Sequence, residues 1–139
     1  FKEIRIDREL KLISDYVELE RLRYGDRLDF EFKIERELKD YRIPPLVLYP
    51  FIENCFKHGS ALDPGNPWIK IDISEMDDRI RFTARNSKKA NSASQNEKNE
   101  NLNTIERIKK RLNYQLPGRH KLKIDDKQDE YSVQLDILY

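Results

Sequence analysis

The sequence predicts an α/β (α+β) sandwich: one mixed, mostly antiparallel sheet with helices on a single face, preceded by an N-terminal helix. Three observations carry this. Leu28, Phe30, Phe32 and Ile34 alternate with Asp29, Glu31, Lys33 and Glu35, the period of a strand with one buried face. The alternation recurs at Ile69, Ile71 and Ile73, at Ile80, Phe82 and Ala84, and at Tyr131, Val133, Leu135 and Ile137. Between these runs, apolar residues return every three or four positions over 1–24, 46–56 and 102–116, as in helices that bury one stripe. Strands and helices in this order suit a sheet covered on one side.

Composition narrows the reading. A chain of 139 residues is one domain with a helical extension. Hydrophobic residues make up 37% and charged residues 38%, so the core is small and much of the chain is solvated helix face or mobile loop. A net charge of +1 argues against a general nucleic-acid binder. No apolar run approaches membrane-spanning length and no signal-peptide pattern is present, so no membrane contact is expected of this segment. Cys55, the single cysteine, cannot form an internal disulfide and is expected to pack as a small hydrophobe. A helical start at Phe1 without an initiator methionine reads as a piece of a longer protein.

Taken in order, residues 1–24 form an amphipathic helix: Leu10, Ile13 and Val17 step by three and four, flanked by Leu12, Tyr16 and Leu19. Gly25-Asp26 makes a turn into the first strand, whose outward charges discourage edge pairing. After a polar connection, Pro44-Pro45 presets a first helical turn. Leu46, Val47, Leu48, Phe51, Ile52, Cys55 and Phe56 supply a broad apolar stripe, and Gly59 sits where a helix ends. Residues 60–67 form a loop, and 68–84 a hairpin turning at Asp77-Asp78. Residues 86–101 hold no strong core former and read as a mobile loop. A helix over 102–116 follows, basic at Arg107, Lys109, Lys110 and Arg111 and stopped by Pro117-Gly118. A second hairpin closes the chain, with His120 a surface residue opening its first strand.

The chemistry gathers on the segment 43–59. Glu53 and Lys57 are four apart, as are Asn54 and His58, so both pairs point to nearly one helix edge. A carboxylate, an amide, an amine and an imidazole there suit a site for a metal, a phosphate and a water. A Glu–Lys pair at this spacing is also the ordinary solvated ion pair. Both readings stand on chemistry alone.

The wording of this segment adds to that. Ile43-Pro44-Pro45-Leu46, Pro50-Phe51-Ile52-Glu53-Asn54 and Lys57-His58-Gly59 resemble the N box of sensor histidine kinases, and more narrowly the LytS-type subfamily. Asp15-Tyr16-Val17-Glu18-Leu19-Glu20 and Arg23-Tyr24-Gly25-Asp26-Arg27-Leu28 resemble the text this family carries just after its phosphoacceptor helix. The resemblance spans essentially the whole chain and implies a Bergerat (GHKL) type ATP-binding fold. Residues 1–24 are then a helical linker from the dimerisation region. Residues 25–139 are the ATPase-like domain, with 86–101 its lid loop. By position, the resemblance makes Glu53 a base or water-orienting group and Asn54 a ligand of the Mg²⁺ that bridges the ATP phosphates. Lys57 and His58 line the phosphate side.

The family's other boxes are altered. An Asp-x-Gly box should follow Phe82-Thr83-Ala84-Arg85, and Asn86-Ser87-Lys88-Lys89 stands there. Asn86 can still bond an adenine edge through its amide. A Gly-x-Gly-Leu-x-Asn box should open the next helix; it falls on Leu102-Asn103-Thr104-Ile105-Glu106-Arg107, without glycines and with Arg107 in place of the asparagine. Arg107 offers a cationic contact to phosphate. Two functions are therefore expected to compete. One is a catalytic domain that moves the ATP γ-phosphate to a histidine outside this segment and on to a response regulator, LytTR-type by the resemblance. The other is a docking module whose nucleotide site has decayed. The same resemblance implies a homodimeric parent joined through dimerisation helices, with this segment a cytoplasmic domain of an inner-membrane protein. Neither His58 nor His120 lies in an acceptor motif, so the segment is not expected to phosphorylate itself.

Overall fold

The computed structural model describes residues 2–35, 38, 40–59, 65–88 and 95–139. β1 (Ile4–Arg5) runs into α1 (Ile6–Tyr24), and a 3-10 turn over Gly25–Arg27 leads to β2 (Asp29–Ile34). β3 (Arg42–Ile43) precedes α2 (Tyr49–Asn54), which continues as a π-helical turn over Cys55–Gly59. β4 (Trp68–Met76) and β5 (Arg79–Ser87) form the first hairpin. Then come α3 (Gln95–Gln115) and the second hairpin, β6 (His120–Asp126) and β7 (Glu130–Leu138).

The main sheet has the order β2-β4-β5-β7-β6, and β1 pairs with β3 in a small separate ladder. Among the described residues only β2–β4 is parallel, with Asp29 opposite Trp68 and Ile34 opposite Ile73. Parallel neighbours need a crossover, and α2 supplies it. The expected alternation is what places the core. Ile69, Ile71, Ile73, Ile80, Phe82, Ala84, Val133, Leu135 and Ile137 are all buried on one face. Ile6, Leu10, Ile13 and Val17 of α1, Phe51, Ile52 and Phe56 around α2, and Ile105, Ile108 and Leu112 of α3 join them in one cluster. The other face is charged and wet, which is how antiparallel sheets tolerate one exposed side.

Several boundaries differ from the sequence expectation. α3 begins at Gln95, so 95–101 is helix where a mobile loop was expected, and β5 extends through Ser87. Within the expected lid, 89–94 lies outside the described residues. Likewise α2 begins at Tyr49, with Pro50 in its first turn, rather than at Pro44-Pro45. Leu46 holds φ at 59°, in the left-handed region where a side chain is unfavourable, and this breaks the helix that the prolines prepare. The segment expected to be a linker, 1–24, places its apolar stripe in the same core as the sheet.

On the wet face, Asp136 accepts from Arg81 Nε at 2.9 Å and Nη2 at 3.1 Å, and from Arg79 Nη1 at 3.0 Å. It is only 3% exposed. Arg81's hydrogen bonds, then Arg79's, hold its carboxyl below the usual 3.8 against the opposing effect of burial. A carboxyl whose pKa is lowered by folding stabilises the fold above its unfolded value, and that contribution vanishes as pH falls through the lowered folded value. Asp136→Asn is expected to cost about 2 kcal/mol at pH 7 and to flatten the acid limb below pH 3.8. Urea unfolding from pH 2 to 7 measures both; parallel curves for the two proteins would refute the assignment.

Candidate functional site

The site starts from how α2 is held. Six residues of α-helix cannot stabilise themselves. Glu9 of α1 does this from outside: its Oε1 accepts from the Leu46 N–H and its Oε2 from the Leu48 N–H at 2.5 Å. Backbone N–H groups entering a helix have no partner within it, so a carboxylate here satisfies them. Glu9 is 1% exposed, and burial pushes its carboxyl above 4.5 despite these bonds. No reading of the sequence singled it out.

Beyond Asn54 the helix widens into the π turn, a distortion common at functional sites. Glu53, Asn54 and Lys57 nevertheless share a cleft of about 360 Å³ between α2 and α3. From α3 come Thr104, Arg107 and Arg111, with Pro50 and Ile108 as apolar walls. Arg111 Nη2 and Gln115 Nε2 donate to the Pro45 carbonyl at 3.5 and 3.3 Å, tying α3 to the approach to α2.

Each side chain has a distinct state. Glu53 is exposed and accepts from the Tyr49 hydroxyl at 3.3 Å. Burial and then the Glu53 charge raise the Tyr49 pKa, so Tyr49 stays a donor. Asn54 is 5% exposed, and its Oδ1 is buried without a hydrogen-bond partner. Lys57, Arg107 and Arg111 are exposed and form no ion pair with a carboxylate among the described residues. The His58 backbone lies in the π turn, and its side chain lies outside the described residues. Asn86 is not on the cleft wall. It sits 1% exposed on the inner face of β5, opposite Tyr131, with Nδ2 donating to the Ser87 carbonyl at 2.9 Å. The Asn86 Oδ1 and the Tyr131 hydroxyl are both buried without partners.

The region expected to open a helix does not. Residues 102–107 lie inside α3, so their N–H groups are committed to the helix. Leu102 is 62% exposed, and the Thr104 hydroxyl donates to the Glu100 carbonyl at 3.0 Å. Cys55 is buried, which pushes its thiol up to about 12 and removes it as a nucleophile. His120 Nδ1 lies 2.8 Å from the Leu116 carbonyl, a structural contact at the end of α3.

The cleft can therefore hold a polyanion, by three side-chain cations against one carboxylate. It offers one buried neutral oxygen, Asn54 Oδ1, to a hard cation. Among the described residues no three or more His, Cys, Asp and Glu side chains gather for a metal. Such an ion fits only if Asn54 and the ligand's own oxygens share it, which is how Mg²⁺ is held on phosphates.

No protein-family profile matches the chain. Among curated proteins it is 33% identical over 86 residues to "Sensor histidine kinase YpdA" of Escherichia coli K12, covering 62% of this chain and 15% of that protein. It is 27% identical over 84 residues to "Sensor protein LytS" of Staphylococcus epidermidis, covering 60% of the chain and 14% of the relative. The chain thus spans about one seventh of these relatives. Among solved structures, the nucleotide-free catalytic domain of histidine kinase ThkA superposes with a TM-score of 0.67 at 15% identity, covering 99% of this chain and 95% of that one. The mycobacterial sensor histidine kinase MprB gives 0.64 at 9% identity, covering 99% and 96%. ThkA has also been solved in complex with the response regulator TrrA (TM-score 0.65, 16% identity, covering 99% of this chain and 41% of that one). The fold is that of histidine kinase catalytic domains.

Proposed function

We propose, from the premise that this chain is a catalytic domain of the LytS-type sensor histidine kinases, that it binds ATP with Mg²⁺ in the α2–α3 cleft. Its role is to present the γ-phosphate to a histidine outside the segment. The observation that carries this is the convergence of Glu53, Asn54 and Lys57 with Arg107 and Arg111 on one cleft.

In this reading Asn54 Oδ1 is the protein ligand for Mg²⁺, which would supply charge neutralisation at the phosphates. Lys57, Arg107 and Arg111 bind the phosphate oxygens and fix their orientation. Glu53 orients the incoming imidazole or accepts its proton, and Tyr49 steadies the Glu53 carboxylate. For Asn86, buried on β5 away from the cleft wall, only the motif assigns a contact to the base, as it alone assigns His58 to the phosphate side. We assign α1 the role of a link to dimerisation helices in a homodimeric parent. The phosphate would pass on to a response regulator of the LytTR type, with the segment on the cytoplasmic side of an inner-membrane protein. Among the described residues no helix is long and apolar enough to cross a membrane.

Calorimetric titration with a non-hydrolysable ATP analogue tests this. Micromolar to sub-millimolar binding in Mg²⁺, weakened about tenfold by Asn54→Ala, is expected. One feature favours the docking-module reading instead: α3 runs unbroken through 102–107, where a backbone cradle was expected. A folded protein that ignores millimolar nucleotide would decide for that second reading.

A further inference from the structure

The phosphate end of the cleft is built from side chains. Because 102–107 lie within α3, no backbone N–H from that stretch is left to cradle an anion. What faces the cleft in its place is Arg107, with Arg111 one turn further on and Lys57 across from them on the π turn. Guanidinium groups bind phosphate oxygens in pairs and remain charged at any working pH. On the metal side the cleft brings one neutral oxygen, Asn54 Oδ1, and a single carboxylate, Glu53. Charge in the cleft is therefore weighted toward direct protein–phosphate contact.

We propose that Arg107, with Arg111 and Lys57 beside it, takes over part of the charge neutralisation that a divalent cation otherwise provides, so that the cleft retains a nucleoside polyphosphate when no divalent cation is present. The inference rests on the nucleotide reading above and concerns which groups carry the phosphate charge.

The test compares the wild-type protein with Arg107→Asn and Arg107→Lys, titrated with the ATP analogue in excess Mg²⁺ and in chelator. Inorganic triphosphate, which has no base, is a second probe. Arg107 is exposed, so the variants should fold, and circular dichroism checks this. Wild-type affinity in chelator is expected to stay within about tenfold of that in Mg²⁺. Arg107→Asn should weaken binding about tenfold in chelator and no more than about threefold in Mg²⁺, with Arg107→Lys between them. Equal losses in both conditions, or no loss, overturn the proposal while leaving ATP binding intact. Triphosphate binding that depends on Arg107, from a protein that ignores the ATP analogue, would keep the phosphate cleft and discard the nucleotide reading. Failure of both probes under all conditions discards both.

Discussion

Glu9→Ala is expected to lower the unfolding free energy by about 3 kcal/mol, measured by urea denaturation at pH 7. The substitution leaves the Leu46 and Leu48 N–H groups without their acceptor and opens a void beside α2. A buried unsatisfied donor costs its full desolvation, which is more than a hydrogen bond gains. The Leu46 φ of 59° adds to the effect, because such a conformation persists only when its surroundings enforce it. The pH dependence has a definite sign. Burial raises the folded carboxyl above 4.5, so the folded state holds the Glu9 proton more tightly than the unfolded chain. The proton-linked part of its stability is therefore complete below 4.5 and erodes as pH rises through the folded value, leaving the hydrogen bonds and packing to act at pH 7. The gap between wild type and Glu9→Ala should narrow over that rise. A loss under about 1 kcal/mol would show that the carboxylate does not hold the approach to α2.

Phe56→Ala should cost about 4 kcal/mol, the usual range for emptying a buried aromatic site. Phe56 is 2% exposed and lies against three other rings. It meets Tyr16 edge-on at 5.6 Å, Tyr24 at 5.9 Å and the stacked Phe30 at 6.1 Å, so α1, the π turn and β2 share one aromatic contact. Such ring pairs add stabilisation beyond area burial. The variant should also weaken ligand binding, since Lys57 follows Phe56 directly. A denaturation midpoint unchanged from wild type would refute this packing role.

The sheet was legible because burial on one face forces a period of two. Ile69, Ile71 and Ile73, and Val133, Leu135 and Ile137, can alternate only if the other face is wet. Glu53, Asn54 and Lys57 were legible as a set because spacing along a helix keeps them near one edge, and the π turn leaves all three on the cleft. The start of α3 was hidden because Gln95–Asn101 carries no apolar residue, and periodicity is blind to helical turns that are polar throughout. The start of α2 was misplaced because two prolines suit a helix N-terminus, while the left-handed Leu46 after them depends on a residue far away in sequence. Glu9 did leave a signal. It stands three after Ile6 and four before Ile13, both fully buried, so a carboxylate occupies the apolar stripe of α1. Asn86 was assigned by motif alone, and sequence could not show that it belongs to the inner face of β5 rather than to the cleft wall.

The parallel β2–β4 ladder has a kinetic consequence. Both hairpins join neighbours in sequence, so their loop-closure cost is small. Pairing Asp29 with Trp68 encloses the whole segment that bears Glu53, Asn54 and Lys57. Pairing Ser87 of β5 with Glu130 of β7 encloses a longer stretch still, the one that bears Arg107 and Arg111, and non-local pairings of these kinds are the slow ones. The two walls of the cleft therefore belong to the two non-local loops of the sheet, and the cleft forms only when both have closed.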